Sequence, residues 1–142
     1  MDIARLIKDR QNTICSCTTA TSVMEAANLL AERRIGALPV LDGDRVVGIF
    51  SERDLLYCIA HEGAAALDRP VGEVMTSPPV TVSRNTDALE ALGLMTRRRV
   101  RHLPVVDKDR MIGFISIGDL VKLRVEAAEA EAEAMRVYIQ TA

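Results

Sequence analysis

The chain has 142 residues, 49% of them hydrophobic and 27% charged, enough to build a packed core. Eighteen basic residues against twenty acidic ones give a formal charge of -2, which excludes a global attraction to nucleic acid or an anionic membrane and makes any anion site local. No apolar run approaches the roughly 20 residues of a membrane span, and MDIARLIKDRQ lacks a signal peptide's hydrophobic middle, so a cytoplasmic location is expected.

Taken in order, Ile3, Leu6 and Ile7 mark a short amphipathic leader helix within residues 1–12. Thr13 to Cys17 alternates as a strand. Ser22 and Glu25 form a capping-box pattern that opens a helix running to about Arg34, with Val23, Ala26, Ala27 and Leu30 on one face. Ala37–Leu41 and Arg45–Phe50, joined by Asp42-Gly43-Asp44, read as a hairpin, and a further helix opens at Ser51. Pro39 inside the first of these strands predicts an edge position or a strand start. A connector over residues 62–77 carries Val71, Val74 and Met75, which repeat the leader with a three-residue gap.

The same sequence of elements then recurs. Ile35–Leu56 and Val100–Val121 match at ten of 22 positions with a constant offset of 65, including Leu38/Leu103, Pro39/Pro104, Gly48/Gly113, Ser51/Ser116 and Asp54/Asp119. Asp87 and Glu90 open the second copy of the long helix, which carries Leu89, Leu92 and Met95. Leu103–Val106 and Arg110–Ile115 form its hairpin. Each unit is thus strand, helix, strand, strand, helix, an α/β (α+β) architecture, spanning residues 13–61 and 78–124. Units this short are marginal alone, so they are expected to share a core.

Cys15, Cys17 and Cys58 cannot all pair with one another, and the repeat places Cys15 and Cys17 on the apolar positions Val80 and Val82. A buried, reduced state is expected for them, with no metal and no disulfide.

Ser51-Glu52-Arg53-Asp54 and Ser116-Ile117-Gly118-Asp119 place a hydroxyl and a carboxylate in the first turn of a helix. Either a capping box or a ribose-binding carboxylate would use that pattern, and the residues alone leave both open.

The order of elements, the Leu-Pro-Val-x-Asp before each hairpin, the Gly after it and the Ser-x-x-Asp opening the last helix resemble a tandem pair of CBS domains, a Bateman module. The resemblance implies two sheets face to face about a pseudo-twofold axis and adenosine-containing ligands (AMP, ADP, ATP, NAD(H) or S-adenosylmethionine) in two clefts between the repeats. It favours the ribose role for Asp54 and Asp119. One composite cleft would take Cys15, Ile35, Gly36 and Ala37 with Phe114, Ser116, Gly118 and Asp119. The other would take Val80, Val100, Arg101 and His102 with Ile49, Ser51, Arg53 and Asp54. Arg101 and His102 fall at positions that touch phosphate in the family, whereas their counterparts Gly36 and Ala37 carry no charge, so the two clefts are not expected to be equivalent.

The run Arg97-Arg98-Arg99-Val100-Arg101-His102 could contact nucleic acid, but it has no interleaved aromatics and no recognition motif. A solvated helix face accounts for Arg97 and Arg98. From Asp119 to Ala142 there is no Gly or Pro, so the last helix is expected to continue for about 36 Å. Val121, Val125, Ala128, Ala132, Met135 and Ile139 form a seam along this extension, residues 125–142. It could lie on its own domain, form a homodimer or dock a regulated protein, and the resemblance favours the homodimer. No nucleophile elbow, phosphate-cradling loop or base-nucleophile pair is present, so binding without catalysis, and no catalytic cofactor, is expected. The rival is a structural adaptor with vestigial pockets.

Overall fold

A computed structural model describes residues 3–8 and 14–141. The ends of the expected leader, Thr13 of the expected first strand and Ala142 lie outside the described residues. The elements are α1 (Ile3–Ile7), β1 (Cys17–Thr18), α2 (Val23–Arg33), β2 (Ala37–Asp42), β3 (Arg45–Ser51), α3 (Glu52–Glu62), a 3-10 helix (Gly63–Asp68), α4 (Val71–Val74), α5 (Ala88–Arg98), β4 (His102–Asp107), β5 (Arg110–Ser116) and α6 (Ile117–Thr141).

Local chemistry fixes the ends of these elements. Ser22 Oγ accepts the Glu25 amide at 3.1 Å to start α2, while Asp87 and Glu90 cap α5 reciprocally. Both helices stop at an arginine in the left-handed region, Arg34 (φ 53°) and Arg99 (φ 55°). The hairpins turn at Gly43 (φ 62°) and at Lys108 and Asp109 (φ 49° and 67°). Gly63 ends α3, but its counterpart 65 residues on is Ala128, and α6 runs straight through that position to Thr141. No described helix is long and apolar enough to cross a membrane.

The strands form one five-stranded sheet in the order β1-β2-β3-β5-β4. The two hairpins meet through one pairing, Arg45 with Arg110, so the two sheets that the resemblance implies are joined at a corner. The expected strand over Thr13–Cys17 is shorter, Cys17–Thr18, and in the second unit it shrinks to a bridge between Val82 and Val105. Pro104 does lie on an edge strand. Pro39 lies in β2, next to a β1 that pairs only at Val40 and Leu41.

The repeats do not share one core. Cys17, Val23, Leu38, Phe50 and Cys58 build one cluster, and Met95, Leu103, Ile115, Leu120 and Leu123 build another. The leader segments are exchanged between them. Ile3 and Ile7 of α1 complete the second cluster, whereas Val71 of α4, with Val74 and Met75 packed alongside, completes the first. Two glycines at equivalent places admit these plugs: a Cβ on Gly113 would lie 2.4 Å from Ile7 Cγ2, and one on Gly48 would lie 2.4 Å from Met75 Sδ and 3.0 Å from the Thr76 carbonyl oxygen. Leu89, expected to face the core, is 56% exposed, as is its counterpart Met24 at 48%. Ala88 and Ala91 take the buried positions with Met95.

Gly113→Ala and Gly48→Ala are each expected to destabilise the fold by about 1–3 kcal/mol through overpacking. Denaturant titration measures this, and an unchanged midpoint in both would refute the exchange as a stabilising device.

Candidate functional site between the repeats

The exchange brings the end of β3 and the start of α3 opposite the connector and the start of β4. A cleft of about 360 Å³ lies between them. Val80, Val100, Arg101 and His102 line one side, and Ile49, Ser51, Arg53 and Asp54 the other, so all eight residues of one predicted constellation surround one space. Its frame repeats too: the Glu52 amide donates to the Gly36 carbonyl at 3.0 Å, and the Ile117 amide to the Arg101 carbonyl at 2.8 Å.

At one end of the cleft Asp54 is fully engaged as a cap. Its Oδ2 accepts the Ser51 amide at 2.8 Å and the Ser51 hydroxyl at 3.0 Å, and the Asp54 amide returns to Ser51 Oγ at 3.2 Å. Oδ1 accepts the Thr76 hydroxyl at 2.9 Å. Asp54 therefore holds a hydroxyl on each carboxylate oxygen, with about one of its four acceptor positions left over.

Arginines also line the cleft. Arg98 and Arg99 enter from the end of α5, Arg101 from the start of β4 and Arg53 from α3. Arg53 donates to the Arg99 carbonyl at 3.4 Å.

The other predicted constellation is divided. Gly36 and Ala37 line the cleft already described. Cys15 and Ile35 pack against the first core. Ser116 and Asp119 repeat the cap, with the Ser116 amide on Asp119 Oδ2 at 2.9 Å and the Asp119 amide on Ser116 Oγ at 3.1 Å. Gly118 stands beside that serine, and Phe114 is stacked on His102 with centroids 5.5 Å apart. Cys17 is buried, and burial followed by the neighbouring Cys15 pushes its thiol up to about 11, leaving it protonated and a poor ligand at neutral pH.

Sequence reasoning missed Glu52, Tyr57, Thr76, Pro78, Pro79, Arg98 and Arg99 as cleft residues. Thr76 lies in the connector, and Pro78 and Pro79 begin the second repeat opposite Thr13 and Ile14, which they do not match. Arg98 was assigned to a solvated helix face, and only the left-handed turn at Arg99 brings the chain around the cleft.

His102 is packed between Phe114 and Gly36; a Cβ on Gly36 would meet its Cε1 at 3.5 Å. Burial lowers its pKa below 6.5, Asp119 and Glu52 oppose that shift, and Arg101 adds to it. The unfolded chain therefore binds a proton here more readily than the folded one, so stability is lost as pH falls through about 6.5 toward the lower folded value. Chemical denaturation between pH 7.5 and 5.5 is expected to show this loss in the wild type and a flatter profile in His102→Gln. Equal slopes would assign the pH dependence elsewhere.

The CBS-domain family model matches residues 11–61 and 71–126. A mitochondrial CBS domain-containing protein of Arabidopsis thaliana, CBSX3, is 36% identical over 129 residues, 87% of this chain and 63% of that protein's length. Among solved structures, the CBS-domain protein ATU1752 from Agrobacterium tumefaciens superposes with a TM-score of 0.81 at 37% identity, covering 87% of this chain and 99% of that one. The structure of CBSX2 in complex with AMP gives 0.75 at 30% identity, covering 83% and 92%. The CBS pair of protein MJ0100 in complex with methylthioadenosine and S-adenosyl-L-methionine gives 0.70 at 25%, covering 82% and 97%. With its duplicated unit, its capped helix starts and its cleft between the repeats, the chain belongs to the CBS-domain family as a tandem CBS pair.

Proposed function

We propose that this chain is a regulatory module that binds an adenosine-containing ligand in the cleft between its repeats and acts by conformational change, without turnover. The observation that carries the reading is Asp54. Ser51 and Thr76 place one hydroxyl on each of its carboxylate oxygens, and the vicinal diol of a ribose offers the same pair of donors. Ile49, Val80 and Val100 supply apolar wall for a flat base, and the arginines face the phosphates. The complexes of related CBS pairs with AMP and with S-adenosyl-L-methionine support an adenosine ligand. Asp119, in the matching cap, would serve a second, non-equivalent site.

A cytoplasmic homodimer that reports ligand to a regulated protein partner completes the reading. Its support is a pattern of exposed apolar residues at the repeat offset, Met24 with Leu89 and Leu56 with Val121, continued along α6 by Val125, Met135 and Ile139. Every residue of α6 from Ala128 to Thr141 is exposed, which supports an intermolecular role for this stretch.

AMP at about 100 times its dissociation constant is expected to add about 2.7 kcal/mol of stability to the wild type, read as a thermal shift. Asp54→Asn keeps the side-chain volume but loses the charge and is expected to abolish that shift. An undiminished shift in Asp54→Asn would refute the ribose assignment, and no shift with any adenosine compound would favour the adaptor with vestigial pockets. Light scattering is expected to give a dimer mass for the wild type and a monomer for Val125→Glu with Met135→Glu; a monomeric wild type would leave the α6 seam to a different protein.

A further inference from the structure

The cations of the cleft exceed what capping a helix requires. Four arginines, Arg53, Arg98, Arg99 and Arg101, line it with two acidic residues, Glu52 and Asp54, a local excess of two positive charges on a chain whose formal charge is -2. The negative end of α5 accounts for Arg98, in the last turn. It does not account for Arg53 or Arg101, which lie on other elements. Among the described residues, Arg98, Arg99 and Arg101 make no ion pair, and Arg53 donates only to a carbonyl. Asp54 accepts from Ser51 and Thr76 and makes no ion pair with these arginines among the described residues.

Arg99 takes the same helix-ending turn as its counterpart Arg34 at φ 53°. It sits at φ 55°, a left-handed conformation that favours glycine and costs other residues about 1 kcal/mol. Arg99 lines the cleft. The pseudo-equivalent of this end keeps arginines at two positions, Arg33 and Arg34 for Arg98 and Arg99, but has Gly36 and Gly118 where the cleft has Arg101 and Arg53, so the extra cations on this side of the duplication are Arg53 and Arg101.

We infer that the cleft selects a polyphosphate: a nucleoside di- or triphosphate is its ligand, in preference to a nucleoside monophosphate and against S-adenosylmethionine, whose sulfonium brings a positive charge into a positive site. The nucleoside half of this assignment rests on the adenosine reading above. The polyphosphate half rests on the arginines alone. Unpaired guanidinium groups bind phosphate oxygens by short charge-assisted hydrogen bonds, and each further phosphate gives the cluster more acceptors.

Isothermal titration calorimetry in EDTA with ATP, AMP, adenosine, S-adenosylmethionine and inorganic tripolyphosphate tests both halves separately. ATP is expected to bind about tenfold or more tightly than AMP, S-adenosylmethionine more weakly than AMP, and tripolyphosphate measurably by itself. Arg99→Gly is the diagnostic variant, because glycine suits the backbone there. It is expected to raise the melting temperature while weakening ATP and tripolyphosphate about tenfold and leaving adenosine unchanged. Equal affinity for ATP and AMP, or unaltered ATP binding in Arg99→Gly, overturns the polyphosphate assignment and leaves the adenosine reading standing. Tripolyphosphate binding to which adenosine adds nothing does the reverse. No binding of any of the five overturns both.

Discussion

Exchange of the leader segments is the constraint on which the rest of the structure depends. Each repeat buries its core only with the short helix that precedes the other repeat, Ile3 and Ile7 on the second cluster and Val71 with Met75 on the first. The glycines that admit these plugs, Gly48 and Gly113, are 65 residues apart, and either position would clash with any larger side chain. Separating the repeats would uncover both cores at once, a cost that units of this size cannot absorb. A cleft between them is therefore held in place by the hydrophobic cores themselves.

The connector ties that cleft to the first core. Met75 lies on Gly48, the adjacent Thr76 pairs with Ile49 through two backbone hydrogen bonds of 3.0 and 2.8 Å, and its hydroxyl reaches Asp54. Core plug, sheet edge and cleft thus share three consecutive contacts. In the proposed binding mode a ribose takes the place of the Thr76 hydroxyl on Asp54, and the segment released is the one that seals the first repeat. That gives the ligand a differential interaction with two arrangements of the connector, which any conformational signal requires.

Much of this was legible in the sequence because the chain states it twice. The 65-residue offset marked the hairpins and the caps at Ser51 and Ser116, the family resemblance pointed to the eight residues around the cleft, and the absence of Gly and Pro after Asp119 marked α6. Which core a leader covers was not legible, since an amphipathic pattern shows that a face is buried but not against what. The expected shared core therefore resolved into two. Leu89 misled for a related reason: it fits a helical face, but Ala88 and Ala91 hold the buried positions beside Met95. Thr76, Pro78 and Pro79 were invisible because no matching residue stands at their places in the first repeat. The capping and ribose readings of Ser-x-x-Asp could not be separated in advance because one arrangement of donors satisfies both.

The account's central claim is that one ligand engages both repeats across this cleft, and backbone amide NMR during an ATP titration tests it most directly. The account predicts saturable shifts at Ser51–Asp54 and Thr76 together with Arg98–His102, at one common dissociation constant. Shifts confined to one repeat, or confined to α6 with the cleft silent, would contradict it.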